Sequence, residues 1–292
     1  MLNALSIDVE DYYQVTGFER QIARHQWDQF ESRVVANTQR LLELLAKHNV
    51  RATFFVLGWV AQRFPQLVRE IQAAEHEIGS HSFWHRLVYE QSPDEFREDL
   101  RQSRTALEDA IGGPVTAYRA PSFSITKRSL WALEILVEEG FQIDSSIFPV
   151  YHDRYGIPDA PAEPYHISTP SGTLQEFPVS IVRLAGMNLP VSGGGYFRLY
   201  PSLVTHTLLS RINRRQQRPF VFYLHPWEID PEQPRLQAGS RIGRFRHRVN
   251  LKSTAHKLES LLTRFRFGTL TESLASISQE AAPAVCTEQL AV

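Results

Sequence analysis

The stretch Glu77-Ile78-Gly79-Ser80-His81-Ser82-Phe83-Trp84-His85 joins a short strand-like run to two histidines four residues apart. Two imidazoles at i and i+4 share one face of a helical turn and can hold one metal ion. Upstream, residues 52–57 (ATFFVL) read as a buried strand closed by Gly58, and residues 60–74 carry helical spacing broken at Pro65. Downstream, Ser92-Pro93-Asp94-Glu95 is a capping box with proline at the first helical position. The helix it opens runs to about Ile111 and stops at Gly112-Gly113. Working outward, residues 2–8, 115–119 and 141–144 read as strands, and residues 32–48 and 127–139 as helices. Alternation of this kind predicts an α/β chain with a parallel sheet or closed barrel. In such folds the C-terminal strand ends converge on one face.

Residue types that carry chemistry stand at those strand ends. Asp8-Val9-Glu10-Asp11 follows the first strand, and one of its carboxylates can complete a metal site with His81 and His85. Arg119 ends a strand before Ala120-Pro121, where it can hold a carboxylate by a bidentate contact or serve as a surface ion pair. Asp144, before Ser145-Ser146, either starts a turn or orients a catalytic imidazole. Residues 219–224 (PFVFYL) form a strongly apolar strand that delivers His225, followed by Pro226-Trp227-Glu228. Trp84 and Trp227 flank site residues and can pack internally or stack on sugar rings. A carboxylate cluster, a histidine pair, an arginine, an aspartate and a late histidine are the parts of a metal-assisted hydrolase.

Taken in order over residues 2–228, these five stretches resemble the NodB-type polysaccharide deacetylases, carbohydrate esterase family 4. Residues 8–13, 141–146 and 193–198 and the basic C-terminal region are similar to an exopolysaccharide-locus subfamily, including loci with exosortase-type systems. The resemblance implies a distorted (β/α)7 barrel, here with extra strands and a C-terminal helical extension. It implies Asp8 as general base, His81 and His85 as metal ligands and His225 as general acid. Arg119 would position Asp8, and Asp144 would tune His225. The metal implied is a divalent ion, zinc first, with cobalt or nickel also compatible. The family's first motif has two adjacent aspartates, but Val9 follows Asp8 here, so the carboxylate ligand is Glu10 or Asp11. Glu10 shares the face of Asp8 in an ideal strand, whereas Asp11 reaches only if the chain turns. The family's third motif places an aromatic after the proline, and the backbone N–H there helps bind the oxyanion. That position is Ser122, with Phe123 next.

The remaining sequence sets bounds. The chain has 292 residues, formal net charge −1, 42% hydrophobic and 22% charged residues, which gives no global pull toward nucleic acid. Cys286 is the single cysteine, so no intrachain disulfide forms. Neither a secretory signal nor an apolar run of roughly 20 residues is visible, which predicts a cytoplasmic protein, peripheral to the inner membrane if attached at all. Residues 149–172 read as a functional loop, 174–184 and 193–199 as extra strands, and 201–215 and 251–266 as helices. A basic elaboration follows residue 229. It reads as a solvated face, or as a contact to an anionic glycan or a membrane-associated polysaccharide assembly system. One domain over 1–278 is expected, with 279–292 unstructured. The leading function is metal-dependent removal of N-acetyl groups from amino sugars of an exopolysaccharide or its precursor. A metal-free amidohydrolase of cyclic amides and a non-catalytic glycan-binding protein are the alternatives.

Overall fold

The computed structural model of the chain describes residues 1–152, 154–184, 186–277 and 283–291. The strand–helix alternation is present from the start. Strand β1 (Asn3–Val9) is followed by helix α1 (Val34–Lys47), β2 (Thr53–Val56), α2 (Gly58–Arg63) and α3 (Pro65–Ala73). Then come β3 (Glu77–Ser80), α4 (Pro93–Ile111), β4 (Ala117–Tyr118), α5 (Trp131–Glu138) and β5 (Ile143–Asp144). The break at Pro65 separates α2 from α3, since the proline cannot continue a helix but suits its first turn. The capping box at α4 is formed in both directions, and Gly112 ends the helix at φ 68°.

After β5 the chain forms β6 (Tyr165–Thr169), β7 (Gly172–Glu176), β8 (Ile181–Leu184) and β9 (Met187–Pro190). Helices α6 (Gly194–Leu199) and α7 (Ser202–Arg215) lead into β10 (Val221–Leu224). Helices α8 (Arg241–Arg248) and α9 (Leu251–Arg264), strand β11 (Phe267–Gly268) and helix α10 (Leu270–Ala275) follow. Strand β12 (Ala284–Cys286) and helix α11 (Thr287–Ala291) complete the described residues.

Seven strands run side by side in parallel in the order β10-β1-β2-β3-β4-β5-β7. Between β7 and β10 the wall is irregular. Val221 N–H donates to Ser180 Oγ at 3.0 Å, Tyr223 N–H donates to Ser192 O at 2.8 Å, and Gly193 bridges Tyr223. The architecture is therefore a distorted α/β barrel, closed by side-chain and single-bridge contacts where a ladder is missing. Strand β1 lies between β10 and β2 and pairs with both, and all seven of its residues are buried. Strand β10 is buried throughout. Each large apolar side chain so buried contributes roughly 1.5–3 kcal/mol.

Two expectations are corrected here. Residues 194–199 form helix α6, not a strand, because Gly193 and Gly194 turn the chain tightly against β10. A Cβ on Gly193 would lie 1.9 Å from Tyr223 O, and its φ of 145° favours glycine. Within the stretch expected to be unstructured, β12 pairs in parallel with β6, and Leu290 is buried. The apolar Val285 and Leu290 give that segment a core to join. Residues 279–282 lie outside the described residues.

Gly193→Ala should therefore open the closure beside β10. Chemical denaturation should show a loss above about 2 kcal/mol, the range of substitutions that force a backbone clash. Gly113→Ala, with open space around it, is the matched control.

Candidate active site

The ends of β1, β3, β4, β5 and β10 meet at one mouth of the barrel, as parallel topology requires. A cleft of about 710 Å³ opens there, and its lining includes Asp8, Glu10, His81, His85, Ser122 and His225.

Arg119 is the pivot. It is fully buried and directs four N–H groups inward: to Ser6 Oγ (2.6 Å), Asp8 Oδ1 (2.8 Å), Ser145 O (3.0 Å) and Ser145 Oγ (2.8 Å). Its guanidinium lies 4.4 Å from the Phe55 ring centre. Asp8 is thereby held by one oxygen, while Oδ2 faces His225 Nε2 at 3.9 Å. The contact to Asp8 is single, not the bidentate one that sequence suggests, because the remaining donors serve Ser6 and Ser145.

Glu10, His81 and His85 bring ligand atoms within 4.8 Å of one another, all buried. Glu10 Oε2 stands 2.8 Å from His85 Nε2 yet makes no hydrogen bond. Two ligand atoms aimed at a common point produce that geometry. His81 Nδ1 bonds to Arg119 O at 2.8 Å, which leaves Nε2 as the free donor atom. Burial pulls His81 down to about 4, so it is neutral, as a ligand must be. Burial opposes the charge of Glu10, but His85, His225 and His81 outweigh it and hold the carboxyl at about 2. A neutral imidazole with a fixed tautomer and a deprotonated carboxylate fit a divalent ion.

The histidine pair does not lie on a helical turn. It sits on a loop in which Ser82 (φ 70°) and His85 (φ 53°) take left-handed conformations. Asp99 of α4 pins that loop by accepting from Phe83 N–H (2.7 Å) and Trp84 N–H (3.1 Å). Long-range contacts of this kind leave no local sequence signal.

Asp11 stands apart from the ligand cluster. Its Oδ2 accepts from Ser32 Oγ (2.8 Å), Arg33 N–H (2.8 Å) and Val34 N–H (3.1 Å), and Oδ1 from Tyr12 N–H (3.0 Å). The N–H groups of Arg33 and Val34 are free donors at the start of α1, so this carboxylate caps a helix. Of the two candidates, only Glu10 is left with an oxygen to offer.

Asp144 is also displaced from its expected partner. It is fully buried, accepts from Ser146 Oγ (2.5 Å) and faces Glu176. Burial pushes both acids up, Asp144 to about 6 and Glu176 well above the usual carboxylate range, where the neighbouring Asp144 adds to the effect. The partner of His225 is instead Glu228, whose Oε1 lies 2.5 Å from Nδ1. Arg198 of α6 donates to Glu228 Oε2 at 2.7 Å. Burial would lower His225, yet Glu10, Glu228 and Asp8 outweigh it and raise the imidazole to about 9. The local signal was the i,i+3 spacing after Pro226, which starts a short 3-10 turn.

Trp227 is almost wholly buried and donates its indole N–H to Glu10 Oε1 at 3.2 Å. It stacks between His225 and His247, so it supports the Glu10 carboxylate from inside the protein and does not present a sugar platform. Ser122 reaches the cleft with φ 51°, an uncommon conformation for a non-glycine residue, and bonds Thr16 through its hydroxyl. The aromatic wall is present but comes from Phe123, packed edge-on against Tyr223.

A family profile described as polysaccharide deacetylase matches residues 25–137, and one described as a domain of unknown function (DUF3473) matches residues 145–275. Residues 25–137 thus carry a polysaccharide deacetylase domain. It is 35% identical over 98 residues to a peptidoglycan-N-acetylglucosamine deacetylase of Bacillus cereus, covering 33% of this chain and 36% of that protein. A chitooligosaccharide deacetylase of Azorhizobium caulinodans is 31% identical over 100 residues, covering 34% and 45%. The chain thus spans less than half the length of these curated relatives. A crystal structure of a Mycobacterium smegmatis protein assigned to the polysaccharide deacetylases superposes with TM-score 0.62 and 20% identity, covering 97% of this chain and 92% of that one. That likeness bears on the fold.

Two substitutions separate the first-motif acids. Glu10→Gln should lower bound metal at least tenfold with the fold intact. Asp11→Asn should keep metal but cost about 1–2 kcal/mol of stability through the lost helix cap. Metal analysis and denaturation of both variants check this, and metal loss confined to Asp11→Asn would reverse the assignment.

Glu228→Gln removes an anion that favours the imidazolium. The proton on His225 should then be lost at lower pH, by at least one pH unit. Titration of the imidazole by NMR in the metal-free protein reads this directly.

Proposed function

We propose that this protein is a metal-dependent hydrolase that removes N-acetyl groups from amino sugars of an exopolysaccharide or its precursor. The observation that carries the reading is the pairing of Asp8 Oδ2 with His225 Nε2, 3.9 Å apart, beside the Glu10–His81–His85 cluster. A binding protein needs neither a proton acceptor nor a proton donor at that spot. Both curated relatives described above are named as deacetylases of N-acetylated glycans, which supports the substrate class.

Glu10, His81 and His85 would hold the ion, zinc being the choice that two imidazoles and one carboxylate suit best. When bound, such an ion polarises the acetamide carbonyl and acidifies a water. Asp8 takes the proton of the attacking water through Oδ2, because Arg119 occupies Oδ1 and keeps the carboxylate aimed. The backbone N–H at Ser122, which lines the same cleft, is the candidate oxyanion donor. His225 enters this step protonated, since its anionic neighbours favour the imidazolium. It delivers Nε2–H to the departing amine nitrogen, and Glu228 on Nδ1 holds the ring in that orientation. The products are acetate and a free amino sugar. An ion on Glu10 offsets one of the anions that raise His225, so the working acid titrates below about 9.

Acetate release from a panel of N-acetyl glycans tests the activity. Asp8→Asn should retain metal and lose most turnover. His225→Ala should lower amide turnover by roughly 10²–10⁴-fold, the range for one acid–base group. The loss should be smaller on an aryl acetate, whose leaving group needs no proton. Equal losses on both substrates would remove His225 from the acid role.

A further inference from the structure

Residues 233–258 hold Arg235, Arg241, Arg244, Arg246, Arg248, Lys252 and Lys257 and no carboxylate, in a chain whose net charge is −1. The centre of that segment is α8, Arg241–Arg248. Its inner side is anchored: His247 is buried, stacks on Trp227 at 4.3 Å and bonds Gln233. Its outer side is unusual. Ile242 and Phe245 are 64% and 63% exposed, although both are large and apolar. At 3.6 residues per turn they lie together opposite His247, with Arg241 on one flank and Arg246 on the other. None of the four α8 arginines forms an ion pair among the described residues, and two are held by backbone carbonyls instead. Ile242 and Arg246 also line the cleft, together with Leu199, itself 46% exposed.

We infer that α8 docks the protein on a bilayer surface carrying anionic headgroups, with the cleft mouth beside the contact. An apolar pair framed by arginines is the arrangement by which an interfacial helix inserts its apolar side chains while its cations meet lipid phosphates. A soluble polyanionic glycan satisfies the arginines equally well but offers nothing to cover Ile242 and Phe245. No helix of the described residues is long and apolar enough to cross a membrane, so attachment by this route is peripheral. The consequence, that the cleft serves glycans held close to a membrane, rests on the proposed deacetylation; the docking does not.

The test uses the full chain and no substrate. Cosedimentation with phosphatidylcholine vesicles containing phosphatidylglycerol should capture the protein, and pure phosphatidylcholine should not. Phe245→Ser and Arg241→Gln should each weaken capture at least tenfold. Both residues lie outside the cleft lining, so acetate release from a short soluble substrate should be unchanged. Absence of capture by the anionic vesicles overturns the inference. So does capture that Phe245→Ser leaves intact and that dextran sulfate abolishes, which would mark a polyanion surface.

Discussion

A guanidinium with no access to water dictates much of this structure. Arg119 is fully buried, and a buried charge left without partners costs several kcal/mol. The chain answers with Ser6 and Asp8 from β1 and both the carbonyl and the hydroxyl of Ser145 after β5. Those contacts tie one strand to another across the barrel mouth. They also decide what Asp8 can do. One oxygen neutralises Arg119, and the other is left facing the cleft. The backbone carbonyl of Arg119 fixes the tautomer of His81, so one residue sets both the proposed base and a proposed ligand.

The other buried acids sort by what consumes their lone pairs. Asp11 and Asp99 accept backbone N–H groups, the first at the start of α1 and the second under the histidine loop. They build the frame. Asp144 and Glu176 face each other, and burial with their mutual repulsion favours the protonated acids, which lowers the cost of placing both in the core. Glu228 is divided between Arg198 and His225. Among the described buried acids, Asp8 and Glu10 line the cleft, and they are the two acids proposed for chemistry.

Sequence reveals the frame better than the wiring. Strand–helix alternation, the Pro65 break and the α4 capping box are local features, so periodicity and turn chemistry expose them. The five strand-end stretches converge because parallel topology makes them converge. The errors lie where tertiary contacts decide. Residues 193–199 read as an extra strand, but close approach of Gly193 and Gly194 to Tyr223 turns them into the start of α6. The histidine pair kept its ligand spacing while losing its helix, since Asp99 holds a loop there with two left-handed residues. The place beside His225 expected of Asp144 is taken by Glu228, which the i,i+3 spacing across Pro226 brings to the imidazole. The pleat did favour Glu10 over Asp11, and the cap at α1 shows why the other acid is spent.

The site is also split along the chain in a way that bears on how it is kept. Residues 25–137, the first profile match, supply His81, His85 and Arg119. Residues 145–275, the second, supply Arg198, His225 and Glu228. Asp8 and Glu10 precede both. The two proposed histidine ligands and the arginine that holds Asp8 therefore come from one segment, and the proposed acid with its support from another. Trp227 spans the division by donating to Glu10 while stacking on His225. Arg198 extends the link to α8 through the carbonyl of His247. A movement of α8 would reach His225 through Arg198 and Glu228, and Glu10 through His247 and Trp227, so a contact on its outer face is wired both to the proposed proton donor and to a proposed metal ligand.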